Sequence, residues 1–183
     1  MKSQTIRPDE AELIHRIGAG EQAAFEAIYA SYYEYLFRFV YRTTRQLDLV
    51  EEIIQETFLV VWEKSDSYDH SCKFSTWLFG IAYRKAMKSL FKSSRHGQML
   101  DLADFEEQLA DSGLCPAQQI ENDDWLNAAL DSLPPDQRAV IELTFHQGLS
   151  YKEIADILGC PENTVKTRMF HARKKLQSFS SLP

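Results

Sequence analysis

An all-α protein of two small helical domains, joined by an acidic flexible linker, is the fold that this 183-residue chain should adopt. Apolar residues recur at the three-and-four spacing of a helix along most of its length, and no stretch alternates as a hairpin strand does. Seven Gly and six Pro are few, which leaves little punctuation for the many short turns of an all-β fold. The helical pattern fades over residues 93–121, where Gly97, Gly113 and Pro116 fall. That gap divides the chain into an N-terminal part, 1–92, and a C-terminal part, 122–183, each with a modest core.

Residues 9–17 fit a short helix ending near Gly18-Ala19-Gly20; this GxG lacks a preceding strand and does not make a phosphate loop. From Glu21 to about Thr44, Phe25, Ile28, Tyr32, Leu36 and Val40 mark a long amphipathic helix. A third helix runs from about Asp48 to Lys64, with Val50, Ile53, Phe58 and Val61 at helical steps. Its other face carries Asp48, Glu51, Glu52, Gln55 and Glu56, which charge pattern alone reads as a solvated surface. Residues 65–73 form a polar connection, where His70 and Cys72 lack the second ligand pair that a metal site needs. No metal, cofactor or catalytic set is expected anywhere in the chain.

The helix predicted over Phe74–Lys92 is unusual. Arg84, Lys88 and Lys92 fall at i, i+4 and i+8 beside Lys85, a basic stripe covering about 12 Å at 1.5 Å per residue. Trp77, Phe79 and Tyr83 lie close to it. Cations that follow a backbone and aromatic rings that stack on bases are what a single-strand binder needs. Most rings at helical spacing are core, so one or two of these would be free for bases. Beyond the linker, in which 101–110 fits one short helix, a helix should run from Glu121 to about Leu130. Leu133-Pro134-Pro135 stops the chain and primes another, from Asp136 to about His146.

Two short helices joined by a tight turn occupy 149–176. Ser150 and Glu153 have the spacing of a capping box, and Ile154, Ile157 and Leu158 form one apolar stripe. Gly159 ends that helix and Pro161 suits the first turn of the next, in which Val165, Met169 and Leu176 can face inward. Lys152, Asn163, Thr164, Lys166, Thr167, Arg168, His171, Arg173 and Lys174 supply polar and cationic groups, and no acid follows Glu162. This is the build of a helix-turn-helix reader of the DNA major groove.

The net charge of −7 opposes nucleic-acid binding until it is mapped. Residues 70–100 hold six bases and no acid, 101–137 hold ten acids and no base, and the end after Glu162 carries five unopposed Lys and Arg. Binding follows local potential, so two cationic surfaces on either side of an acidic stretch suggest a two-domain clamp on DNA. No run of about 18 apolar residues and no signal peptide occur, and three scattered cysteines (Cys72, Cys115, Cys160) argue for a reducing cytosol and unreactive thiols.

Three blocks of the sequence resemble the extracytoplasmic-function group of the sigma-70 family, the promoter-recognition subunits of bacterial RNA polymerase. They are 48–62, with its Gln55-Glu56-Thr57-Phe58 signature, the 74–90 block with its F-x-x-W-L-x-x-I-A pattern, and 133–176. The resemblance implies that Asp48, Glu51, Glu52, Gln55, Glu56 and Phe58 bind core RNA polymerase on a coiled coil of its largest subunit. It implies that Tyr68, Lys73, Trp77, Tyr83, Arg84, Lys85, Lys88 and Lys92 hold the melted −10 strand, the 65–73 loop capturing a flipped base. Relatives often carry Asn where this chain has Lys85, so their −10 sequence preference does not transfer. It also implies an acidic linker in the RNA-exit path and an anti-sigma factor, often membrane-anchored, that hides the DNA faces. A cytoplasmic, non-enzymatic bacterial initiation factor follows, reading −35 duplex DNA with residues 161–176, where Lys166, Arg168 and Arg173 are the favoured contacts.

Two rivals stand beside that reading. A response-regulator-type DNA-binding protein shares the E-I-A…T-V-K helix pair, but it would need a βαβ receiver pattern that the N-terminal half lacks. A protein-interaction adaptor fits the acidic majority and leaves both cationic patches unexplained.

Overall fold

The computed structural model describes residues 8–97 and 124–180, and among them eight α-helices and one 3-10 turn build the fold, with no strand. Helices α1 (Pro8–Gly18), α2 (Gln22–Thr44), α3 (Leu47–Glu63) and α4 (Phe74–Gly97) form the N-terminal half, with the 3-10 turn at Ser65–Ser67 between α3 and α4. Helices α5 (Asp124–Asp131), α6 (Pro135–Phe145), α7 (Tyr151–Leu158) and α8 (Glu162–Ser180) form the C-terminal half. The all-α expectation is borne out, with most helix ends within a few residues of their expected places. One boundary moves: α4 continues through Gly97 instead of ending near Lys92, because no helix breaker intervenes before that glycine. The short helix expected at 101–110, and Cys115, lie outside the described residues.

Helix α2 is the axis of the first half. Leu36, Phe37, Phe39 and Val40 are essentially inaccessible to solvent, and the Phe39 ring meets Phe79 of α4 edge to face at 5.1 Å. Helices α3 and α4 complete this core with Val50, Ile53, Ile54 and Val61, and with Phe74, Leu78, Ala82 and Ala86. The turn from α2 to α3 takes two residues, and Arg45 adopts the left-handed conformation there (φ +57°), donating its backbone N–H to the Tyr41 carbonyl.

The helix-turn-helix is built as its sequence expects. The Ser150 Nα–H donates to Glu153 Oε2 at 2.9 Å, while the Glu153 N–H donates to Ser150 Oγ at 3.3 Å, closing the capping box. Gly159 ends α7 in the left-handed conformation (φ +62°), where a Cβ would be strained. Ile154, Ile157, Val165, Met169 and Ala172 then pack inward against Ala139, Val140 and Leu143 of α6.

The two halves share one continuous core, with α7 lying on α4 and α6 on α2. Charged groups tie this junction. Arg42 Nη1 pairs with Glu142 Oε2 at 2.8 Å, the two side chains being 12% and 3% exposed, and also reaches His146 Nε2 at 2.6 Å. The Arg138 Nε–H donates to the Thr43 carbonyl at 2.9 Å, and Arg45 pairs with Asp131 at 2.6 Å. Ions taken so far out of water need such partners, since an unpaired one would cost several kcal/mol.

Candidate nucleic-acid interface

Helix α8 presents the clearest cationic surface. With Val165, Met169 and Ala172 committed to the core, helical geometry turns Asn163, Lys166, Thr167, His171, Arg173 and Lys174 outward, and all six are exposed. Thr164 is half-buried at the start of the helix, and Lys152 is exposed on α7. Lys166 is steadied by Glu162 one turn earlier at 2.9 Å, a weak exposed pair that a phosphate can displace. The Arg173 guanidinium lies over the Phe145 ring, 5.7 Å from its centre.

Arg168 departs from this pattern. Its Nε pairs with Asp136 Oδ2 at 2.8 Å, its Nη1 reaches Cys160 Sγ at 3.6 Å, and its side chain is 24% exposed. It therefore braces α8 against the first turn of α6 rather than facing outward beside Lys166, because it sits one helical step toward the buried Val165–Met169 row. Phe170 takes the opposite course. It was not among the expected contacts, yet it is 64% exposed on the outer face with His171 packed at its edge. Its spacing, four residues after Lys166 and three before Arg173, is the signal that could have found it. An apolar ring on such a face can meet the methyl group of thymine.

The basic stripe of α4 survives in part. Arg84, Lys88 and Lys92 are exposed in a row, while Lys85 turns back to pair with Glu56 of α3 at 2.8 Å. Lys73 pairs with Glu153 of α7 at 2.7 Å. Of the aromatic rings, Phe79 is core and Trp77 is half-buried against Tyr68 and Phe74. Tyr83 is 8% exposed, so burial raises its phenol pKa, opposed in part by the positive charge of the nearby Arg168 guanidinium. A residue expected at the −10 strand and one expected at the −35 duplex thus lie near each other.

The loop before α4 is ordered by its own chemistry. The Tyr68 hydroxyl donates to the Cys72 carbonyl at 2.7 Å, and the ring packs on His70, which holds the left-handed conformation (φ +59°). Tyr68 is 8% exposed, so in this arrangement it supports the loop from within. Burial also raises the Cys72 thiol pKa, with Asp156 and Asp69 adding to the effect, which keeps it protonated and unreactive at neutral pH. Loop and helices enclose a cleft of about 460 Å³ whose walls include Tyr68, Cys72, Lys73, Thr76, Lys152 and Asp156.

Glu153 joins two of these features. Burial pushes its carboxyl pKa up, but hydrogen bonds from Lys73 and Ser150 outweigh that and hold it below its ordinary value of 4.5. A depressed folded value means that its contribution is present above pH 4.5 and is lost as pH falls through the lower folded value. Glu153→Gln should therefore destabilise the chain by about 0.5–2 kcal/mol near neutral pH, the usual worth of a cap. In urea melts the gap between variant and parent should close on acidification below pH 4.5, and a pH-independent gap would contradict this.

Helix α3 supplies a surface of the opposite sign. Asp48, Glu51, Glu52 and Gln55 are exposed along it, with the Tyr33 hydroxyl donating to Glu51 at 2.5 Å. Phe58 does not belong to this surface: it is 2% exposed, clasped by Phe25 and Tyr29 at centroid distances of 6.1 and 4.5 Å, and it shapes the helix from inside. Leu59 and Trp62, 52% and 38% exposed, are the apolar residues that α3 offers outward. No group of three or more His, Cys, Asp or Glu among the described residues could hold a metal, and no described helix is long and apolar enough to cross a membrane.

Known proteins share this organisation. Residues 28–96 match the family described as Sigma-70 region 2, and residues 123–176 match Sigma-70, region 4. The chain is 31% identical over 176 residues to the ECF RNA polymerase sigma-E factor of Escherichia coli strain K12, with 91% of each chain covered. It is 33% identical over 172 residues to the ECF RNA polymerase sigma factor BldN of Streptomyces coelicolor, covering 90% of this chain and 63% of that one. Among solved structures, the sigma factor RpoE of Bartonella quintana, in complex with the anti-sigma factor NepR, aligns with a TM-score of 0.67 at 27% identity. That alignment covers 86% of this chain and 97% of the other. CnrH, in complex with the cytosolic domain of CnrY, shares the fold, with a TM-score of 0.66 at 24% identity over 93% of this chain and 96% of the other.

Proposed function

This chain belongs to the extracytoplasmic-function group of the sigma-70 family, and from that premise we propose how its surfaces divide the work of starting transcription. It directs promoter-specific initiation by binding core RNA polymerase and recognising −10 and −35 elements, under the control of an anti-sigma factor. The family is not a catalytic one, and chemistry stays in the polymerase. The N-terminal half, through residue 92, serves as region 2 and residues 122–183 as region 4, with residues 93–121 joining them. Its place of work is the bacterial cytoplasm.

The observation that carries this reading is the segregation of charge by helix. Carboxylates stand exposed along α3, cations along α4, and cations again along the outer face of α8. Asp48, Glu51, Glu52, Gln55 and Glu56 meet basic groups of core polymerase, with Leu59 and Trp62 giving that contact an apolar centre. Arg84, Lys88 and Lys92 follow the backbone of the melted −10 strand, and Lys73, Lys85, Trp77, Tyr68 and Tyr83 join them when their present partners release them. Asn163, Lys166, Thr167, Phe170, His171, Arg173 and Lys174 enter the −35 major groove, and Lys152 and Thr164 lie beside it. Arg168 holds the reading helix at its angle.

Purified chain added to core polymerase and fragmented genomic DNA should give RNA with discrete 5′ ends that core alone does not produce. Random starts in both reactions would sink the reading. Within it, Arg173→Ala should weaken −35 binding uniformly across sequences and lower the salt slope by about one unit, as loss of one phosphate contact does. An unchanged slope in a titration at several salt concentrations would remove Arg173 from the interface.

A further inference from the structure

Helix α4 runs on past the core. Ala86 is its last buried residue among the described side chains, and beyond it Lys88, Phe91, Lys92 and Ser93 are all exposed. Phe91 is 72% exposed, more than any other large apolar side chain among the described residues. Resting on the sigma reading, we propose that Phe91 is a base-stacking platform of the −10 strand site. It takes the face of an unpaired base while the cations beside it hold the neighbouring phosphates.

A single exposed ring is common on protein surfaces and carries nothing alone. The setting of this one points to nucleic acid. At 100° per residue, Phe91 lies about 20° around the helix from Arg84 and about 60° from Lys88, and Lys92 follows it in the chain. Met87 and Leu90, both half-buried, lie on its other side, so the ring stands at the edge of the cationic face where the core ends. No carboxylate occurs along α4, so nothing on the helix itself competes with phosphate for those cations. A ring in such a row has no use for a phosphate. What a single strand offers it is the π face of a base, and every base has one, so the contact tolerates any sequence.

The other rings of the helix are already committed. Of its five Phe, Tyr and Trp side chains, Phe74, Phe79 and Tyr83 are buried, and Trp77 is half-buried against Tyr68 and Phe74. Only Phe91 among them presents an open face. It lies about 26 Å along the helix from Phe74, at the end away from the 65–73 loop. Strand binding is thereby divided: the loop takes one base by its shape and edges, and Phe91 grips another, far from it, whatever its identity.

Full-length chains are titrated at low salt against two fluorescein-labelled single strands of equal length. One is an oligothymidylate; the other is its fully abasic counterpart, which keeps the phosphates and lacks the bases. The parent should bind the first about tenfold more tightly, a difference of about 1.4 kcal/mol. Phe91→Ala should lose most of that preference yet keep the parent's salt slope, because no phosphate contact has gone. Phe91→Trp should retain the preference, whereas Phe91→Leu, apolar but without a π face, should not. Lys88→Ala should do the reverse, lowering the slope by about 0.7 unit with the preference intact. Phe91→Ala should melt at the parent's temperature.

Equal preference in parent and Phe91→Ala would overturn the platform, as would a Phe91→Leu chain that keeps it. So would a Phe91→Ala chain that melts several degrees lower with its preference unchanged, since the ring would then be packing within the chain. A parent that initiates from discrete sites with core polymerase but shows no base preference dependent on Phe91 refutes only the platform. Failure to initiate at all refutes the sigma reading itself.

Discussion

Phe39→Ala should cost about 3–5 kcal/mol, the range for emptying a buried aromatic site. The ring is fully buried in the middle of α2 and stands at 80° to Phe79, 5.1 Å away, so truncation removes an edge-to-face contact together with the buried area. The core around it holds other large, fully buried side chains, Leu36 and Leu78 among them, which limits collapse of the cavity. Small domains have about 5–15 kcal/mol in total, so the N-terminal half of this variant would be marginal at growth temperature. Calorimetry should show a transition lower by many degrees, and the loss of α4 support should abolish initiation even where α8 still binds duplex DNA. A shift of only one or two degrees would mean that the site refills, and that Phe39 is not a keystone.

The second large effect lies on the surface. Asp48→Lys combined with Glu52→Lys reverses two exposed charges one turn apart on α3. Exposed substitutions of this kind usually alter stability by no more than about 0.5 kcal/mol, so the fold should persist. Facing a basic partner, each reversal replaces an attraction by a repulsion and slows encounter. Affinity for core polymerase should drop about 100-fold, equivalent to about 2.7 kcal/mol, and the loss should shrink at high salt. DNA binding by the isolated chain should be untouched. Parent-like competition for core polymerase would remove this face of α3 from the interface.

Reading the chain from its residues succeeded where the cause of structure is local. The capping box, the Gly159 turn and the alternation of Ile154, Ile157 and Leu158 with polar residues are satisfied within a few positions of one another, so the helix-turn-helix could be drawn before its coordinates. Helical periodicity also says which face a residue occupies. It does not say what will cover that face. Tyr83 and Tyr68 are buried, Arg168 is turned inward and Lys73 is paired, because of neighbours 32 to 85 positions away or of a loop whose path has no period. Phe58 illustrates the same gap from the other side. It belongs to a recognisable signature, yet Phe25 and Tyr29 claim its ring and leave the signature's polar members to face outward.

Glu153 has one oxygen for each of two tasks: Oε2 accepts from Ser150 at the start of α7, and Oε1 pairs with Lys73 of α4. A single carboxylate cannot serve both without making them thermodynamically linked. Whatever firms the first turn of α7 also strengthens its hold on α4, and by reciprocity the docking of α4 firms that turn by the same coupling free energy. The start of α7 is thereby an allosteric element in miniature, its local order reporting on how firmly α7 is docked on α4.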